Sequence, residues 1–180
     1  MLREDLGEGL ELALAVPQHA EALFELIDRN REHLRRWLPF VDATRNAEYT
    51  RDFLKNQLRE LAEGRALTLT LFYEGRAVGV LGLNRVDPVS RVASVGYWLA
   101  HEATGRGLMT RAVRRLVDLA FAHFPVDRIE IHCAPGNTAS CAIPERLGFT
   151  REAVLRRALC AHEFRDDRVV WGLLREEWEG

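Results

Sequence analysis

Residues 101–112 read HEATGRGLMTRA, and this stretch decides the fold. A strand-like run, Ala93 to Leu99, leads into it. A helical pattern follows, with Leu108, Ala112, Leu116, Val117, Ala120 and Phe124 on one face. The first N–H groups of a helix have no intrahelical partner and lie at the positive end of its dipole. Glycines that let the backbone approach closely therefore make a seat for phosphate at Gly105-Arg106-Gly107. The turn lacks the lysine of a Walker loop, and one Gly-x-Gly does not complete a dinucleotide fingerprint. Taken alone, it fits a plain strand-to-helix loop equally well.

Downstream, Arg128 to Cys133 returns as a strand, so strand, turn, helix and strand form one βαβ-like unit. Asn137 or Thr138 begins another helix that closes at Leu147-Gly148, with strands near Phe149 to Leu155 and Val169 to Leu174. Upstream, Leu10, Leu12, Leu14 and Val16 alternate as a strand. Pro17 then suits the first turn of a helix buried through Leu23, Phe24 and Ile27. After a break at Leu38-Pro39, Asn46 caps a second helix carrying Tyr49, Phe53, Leu58 and Leu61, ended by Gly64. Leu67, Leu69 and Leu71 alternate with threonines, Glu74-Gly75 turns, and Ala77 to Leu83 and Ala93 to Leu99 complete a meander. With no internal repeat or linker, we expect one α/β (α+β) domain over residues 1–180. Its mixed, mostly antiparallel sheet should have about seven strands and about four flanking helices.

Composition narrows the class. At 47% hydrophobic and 29% charged residues, the 180-residue chain can bury a core and is poorly suited to disorder. The first ten residues carry no apolar leader-like run. No later run reaches the roughly 18 residues of a membrane span, so a cytoplasmic protein is expected. A net charge of -2 leaves no footprint for nucleic acid. Cys133, Cys141 and Cys160 form neither a disulfide framework nor a zinc spacing and read as buried or incidental thiols. His132 and Cys133 point to opposite faces of their strand, so they do not share a metal ion, and none is expected.

The second informative segment is CAPGNTASCAIPERLGF at 133–149. Together with the glycine turn it resembles the GNAT (GCN5-related) N-acetyltransferase family, in the branch of ribosomal-protein serine/alanine N-terminal acetyltransferases. The N-x-x-S-x-x-x-x-E-R-L-G-F spacing is the most specific part. The likeness extends to the closing DDRVVWGLLREEWEG.

This resemblance implies acetyl-CoA as co-substrate, lying in a V-shaped opening between the strands Ala93 to Leu99 and Arg128 to Cys133. Its pyrophosphate would rest on the amides of Thr104, Gly105, Arg106, Gly107, Leu108 and Met109, with Thr110 adding a hydroxyl. Backbone groups of Trp98 and Leu99 would pair with the pantetheine, and Asn137 would hydrogen-bond its amide. Ser140 would stand near the sulfur, as donor to the departing thiol or simply as a first-turn residue of its helix. A backbone N–H near Leu99 would be the oxyanion stabiliser. Trp37, Phe40 and Tyr49, with Phe53, fall on the usual acceptor side, where lining the mouth and ordinary core packing are both open readings. Splayed strands fit such a ligand, because their unpaired main-chain groups can serve an amide-bearing arm.

The chain departs from the pattern in several places. Glu102 stands where Gln or Arg is usual, and it should point to solvent. Ser94 replaces the strand glutamate that is the usual base, leaving His101, Glu130 and His132 as fallbacks. His162-Glu163 replaces the glycine of the last hairpin, while Asp167 is kept, in a role more structural than catalytic. A missing base is tolerable for an α-amine of pKa near 8, about one-tenth neutral at pH 7. A lysine costs roughly 4 to 5 kcal/mol to deprotonate.

The acceptor implied is a protein N-terminal amine, attacked directly in a ternary complex, with a homodimer expected for this branch. A small amine such as a polyamine or aminoglycoside is the second enzymatic reading. A non-catalytic acyl-CoA-binding module is the third.

Overall fold

A computed structural model describes residues 3–161 and 164–179, so His162 and Glu163 lie outside the described residues. Eight strands form one sheet: β1 (Arg3–Asp5), β2 (Leu10–Leu14), β3 (Leu67–Tyr73), β4 (Arg76–Asp87), β5 (Val92–Leu99), β6 (Arg128–Cys133), β7 (Thr150–Ala161) and β8 (Phe164–Leu174). Their order is β1-β2-β3-β4-β5-β6-β8-β7, and β5 with β6 is the parallel pair, all other neighbours being antiparallel. The helices are α1 (Ala20–Arg29), α2 (Arg31–Arg35), α3 (Ala47–Ala62), α4 (Leu108–His123) and α5 (Thr138–Arg146). None of the described helices is long and apolar enough to cross a membrane.

Two elements exceed the expected seven strands and four helices. Strand β1 has no apolar alternation of its own; it pairs with β2 and is held by charge, Arg3 to Glu11 at 3.2 Å and Glu4 to Arg115 at 2.8 Å. Helix α2 is only five residues long and buries Leu34 alone, too short to show a period.

Alternation divides the sheet into two faces. Ala93 and Val95 of β5, joined by Tyr97 and Leu99, turn toward the large core that α4 completes with Ala112, Val113, Leu116 and Val117. Trp98, one residue out of phase, packs instead under the opposite helices, against Leu23 and Leu54 and against Ile27, Leu34 and Val41. Ile129, Ile131 and Cys133 of β6 are buried on the α4 side. Arg128, Glu130 and His132 therefore share the face of Ser94, Gly96 and Trp98.

The parallel register runs from Val92↔Arg128 to Val95↔Ile131 and stops there. Beyond it each strand keeps only its outer neighbour. On one side β5 continues against β4 to the pair Gly79↔Leu99, and on the other β6 continues against β8 to Cys133↔Val169. A V opens at Gly96 and His132.

Candidate active site

The V leaves one edge of β5 without a strand partner. Ala100 donates its N–H to Val78 O at 2.8 Å, which fixes the phase of the antiparallel ladder. By alternation Trp98 turns its main-chain groups to β4, whereas Tyr97 and Leu99 turn theirs to the open edge. Leu99 thus presents its main-chain groups at the open edge. Tyr97 joins it on that edge, a position the motif reading passed over.

At the end of β5 the chain passes through a short 3₁₀ turn, His101–Ala103, into the glycine segment. Gly107, at φ 73°, is the N-cap of α4, and no side chain caps the helix. A residue with a Cβ is strained in that left-handed conformation, although nothing lies within 4 Å of the position the Cβ would take. The first-turn amides of Leu108, Met109 and Thr110 therefore face outward with no acidic side chain among them, while the Leu108 and Met109 side chains are buried. Thr104 donates its hydroxyl to His101 O at 2.7 Å, and Arg106 lies over the Tyr73 ring at 5.7 Å. Glu102 is exposed, as expected of a carboxylate that would repel phosphate.

A cavity of about 1350 Å³ runs from the V across the sheet to α2 and α3. Ligand pockets commonly measure about 300–1,000 Å³, so this one has room for two molecules meeting end to end. Trp98, Asn137, Ser140, Trp37, Phe40 and Tyr49 line it; Leu99 and residues 104–110 do not. The glycine turn is a surface feature beside the cavity.

On the α4 side of the V, Asn137 caps α5 by accepting from Ser140 N–H at 3.2 Å. This cap fixes Ser140 on the first turn. Its hydroxyl donates to Tyr97 Oη at 3.3 Å, and Tyr97 in turn donates to the Ser140 carbonyl at 2.9 Å. Burial holds the Tyr97 phenol protonated well above its ordinary range. By position beside Ser140 in the cavity, Tyr97 is a second candidate proton donor.

On the acceptor side Phe40, Tyr49 and Phe53 are 36%, 47% and 47% exposed, which decides against core packing for them. Half-buried Trp37 reaches the loop between β6 and α5, its ring 3.6 Å from where a Cβ on Gly136 would stand. Glu32, Arg35, Arg36, Arg165 and Asp166 also line the cavity, a mixture of both signs. Of the fallback bases, His132 lines the cavity and lies 2.9 Å from Glu130. His101 instead packs edge-on against His33 and gives its N–H to Asn30 at 2.9 Å.

Asp167 accepts from the Arg157 N–H at 2.8 Å, where Arg157 has a φ of 54° in an irregular stretch of β7, so its visible role is structural. The thiols are less incidental than their spacing implied: Cys133 and Cys141 sulfurs lie 2.7 Å apart, while Cys160 is exposed. Burial, with Cys141 beside it, pushes the Cys133 thiol up to about 12, unsuited to a nucleophile. The described residues contain no cluster of three or more His, Cys, Asp or Glu side chains placed to hold a metal ion.

Residues 10–150 match the model of the acetyltransferase (GNAT) domain family. The chain is 36% identical over 176 residues to YdaF of Bacillus subtilis (strain 168), named as a candidate ribosomal N-acetyltransferase, covering 97% of this chain and 96% of that protein. It is 28% identical over 162 residues to the ribosomal-protein-serine acetyltransferase of Escherichia coli (strain K12), covering 90% of each. Among solved structures, RimL, a ribosomal alpha-N-protein acetyltransferase in complex with coenzyme A, matches with a TM-score of 0.91 at 25% identity, covering 96% of this chain and 98% of that one. The self-immunity acetyltransferase MccE, in complex with acetyl-CoA and AMP, matches with a TM-score of 0.88 at 25% identity, covering 93% of each chain.

Proposed function

The chain belongs to the GNAT acetyltransferase family, and from that premise we propose that it moves the acetyl group of acetyl-CoA onto a protein N-terminal α-amine, by direct attack in a ternary complex. One observation carries the choice of acceptor. The cavity joins the V to a mouth lined by Trp37, Phe40 and Tyr49 whose charged residues are three arginines and two carboxylates. A polyamine or aminoglycoside would call for an acidic funnel, which such a lining does not make. A wide aromatic mouth suits a peptide that brings one amine and several uncharged groups.

Acetyl-CoA supplies the activated acyl group as a thioester. The outward amides of Thr104, Gly105, Arg106, Gly107, Leu108 and Met109, with the Thr110 hydroxyl, are the seat for its diphosphate. The open edge at Tyr97 and Leu99, helped by Asn137 from α5, satisfies the amide-bearing arm much as an added strand would. Leu99 N–H polarises the carbonyl that is attacked. Tyr97, lining the cavity beside Ser140, donates to the sulfur as it leaves, and Ser140 holds the phenol in place. A thiol of pKa near 8.5 leaves with modest help, so one well-placed donor suffices. We place the protein in the cytoplasm as a single domain over residues 1–180 that pairs as a homodimer, which light scattering tests.

The decisive assay is thiol release from acetyl-CoA with a panel of free N-terminal peptides, lysine peptides, polyamines and aminoglycosides. The expected result is turnover on the α-amine peptides well above the others. Coenzyme binding without turnover on any acceptor would move the chain to the acyl-CoA-binding module, and preference for polyamines would move it to the small-amine class.

A further inference from the structure

An acceptor that arrives as an ammonium must lose a proton before it can attack, and Ser94, on the acceptor face of β5, cannot hold that proton. Ser94 is the register partner of Glu130 on β6, so a carboxylate stands one strand over on the same face. Glu130 Oε1 accepts from Arg128 Nε at 2.8 Å, and Glu130 Oε2 lies 2.9 Å from His132 Nε2. Arg128 is anchored from its far side by Glu152 of β7, which keeps the guanidinium charged. Gly172 of β8 makes this crossing possible: a Cβ there would stand 2.5 Å from Glu152 and 2.7 Å from Arg128. The result is a row, Glu152, Arg128, Glu130 and His132, that ends at the apex of the V. His132 is the first acceptor-face residue of β6 beyond the last pair with β5, and it lines the same cavity as Tyr97 and Ser140.

We propose, resting on the acetyl-transfer reading above, that His132 is the base that deprotonates the acceptor amine and that Glu130 is its positioning residue. Glu130 accepts the Nε2 proton, which leaves the Nδ1 lone pair to take one from the ammonium. The nitrogen loses two protons in all. One goes to Nδ1 and on to solvent; the other is released to solvent as the N–C bond forms, and Tyr97 recovers from solvent the proton it gives to the departing sulfur. The N–C bond forms as the C–S bond breaks, and no oxidant or further reactant is needed. Glu130 contacts His132 directly and Arg128 is bonded to Glu130 on the same strand, while Arg165 and Asp166 of β8 and Glu32 of α2 are the charged groups that line the same cavity.

The test compares kcat/KM against pH for the wild type, His132→Gln, Glu130→Gln and the double variant Ser94→Glu/His132→Gln. One accepted N-terminal peptide is used, and CoA affinity is measured by calorimetry on each. His132→Gln is expected to lose about 10²-fold or more and the acidic limb of the profile, with CoA affinity unchanged. Glu130→Gln weakens the hold on the ring, so kcat is expected to fall while KM for the peptide and CoA affinity stay unchanged. Ser94→Glu restores part of the rate by placing a carboxylate on the same face. An acidic limb and a rate unchanged in His132→Gln overturn the proposal. So does an unchanged kcat in Glu130→Gln, which stands as the test if His132→Gln does not fold. A loss of CoA affinity in parallel with the rate overturns it too. A wild-type protein that binds CoA yet acetylates no acceptor instead refutes the acetyl-transfer reading itself, and this proposal with it.

Discussion

Replacing Tyr97 by Phe separates two candidate proton donors that share one hydrogen-bonded pair. The phenol gives one bond, to the Ser140 carbonyl at 2.9 Å, and receives one, from the Ser140 hydroxyl at 3.3 Å. Without it a partly buried carbonyl loses its donor, at a cost of about 1–2 kcal/mol, or about 2–8 °C in Tm for a chain of this size. The loss in kcat should be larger in effect. A positioned acid is worth about 10²- to 10⁴-fold, and the lower end applies because a thiol leaves readily. About 10²-fold corresponds to about 2.7 kcal/mol in the barrier. Ser140→Ala leaves the Ser140 carbonyl in place, so Tyr97 keeps its stronger anchor and kcat should fall less than about tenfold. Neither change touches the main-chain grip, and KM for acetyl-CoA should stay nearly constant. Initial rates of thiol release at saturating peptide, with thermal melts as a control, give all of these quantities. Wild-type kcat in Tyr97→Phe, together with loss in Ser140→Ala, would refute the assignment and return the donor role to the serine.

Four further outcomes are expected. Gly107→Ala forces a Cβ into a φ of 73°, costing about 1–2 kcal/mol without any steric clash, to be seen as a lower Tm and weaker acetyl-CoA binding in calorimetry. Asn46→Ala removes the acceptor for Tyr49 N–H at 2.9 Å that caps α3, and should cost about 1 kcal/mol in a denaturation series. Alkylation at mildly alkaline pH, followed by mass spectrometry, should label exposed Cys160 first. The Cys133 thiolate, with its thiol near 12, loses population tenfold for each pH unit below that value. Burial, with Arg3 nearby, lowers His19 below its ordinary 6.5, so the unfolded chain takes up a proton the folded one resists. Stability should therefore fall as pH drops below 6.5, and His19→Gln should flatten that part of a Tm-against-pH curve.

Much of the fold was legible because its signals are local. The apolar stripe of α4, the caps at Asn46 and Asn137 and the alternation of β3 each depend on neighbours within a few residues. What escaped the sequence depends on partners brought together from afar. Strand β1 exists through ion pairs to Glu11 and Arg115, and the importance of Tyr97 lies in a residue 43 positions later. Glu130 and His132 stand among three fallback bases, with nothing in the sequence to rank them against His101. What sets His132 apart is its place just past the last parallel pair, which no spacing along the chain reveals. Tyr49 and Phe53 follow helical periodicity as core residues do, and only their exposure on the cavity wall distinguishes the two uses. The two cysteines eight positions apart meet because α5 doubles back over the end of β6.

The two faces of the sheet are unequally anchored. Below α4 lies one continuous apolar mass reaching from Leu10 to Leu173, whereas the opposite helices rest on two small patches, one around Leu23 and Leu54 and one around Leu34 and Val41. The donor half is thus a chassis, and the receiving half is a jaw bolted on at few points. On the proposed reading, sequence drift in the jaw retunes the acceptor side while the α4 half stays intact, and amide hydrogens of α2 should exchange well before those of α4.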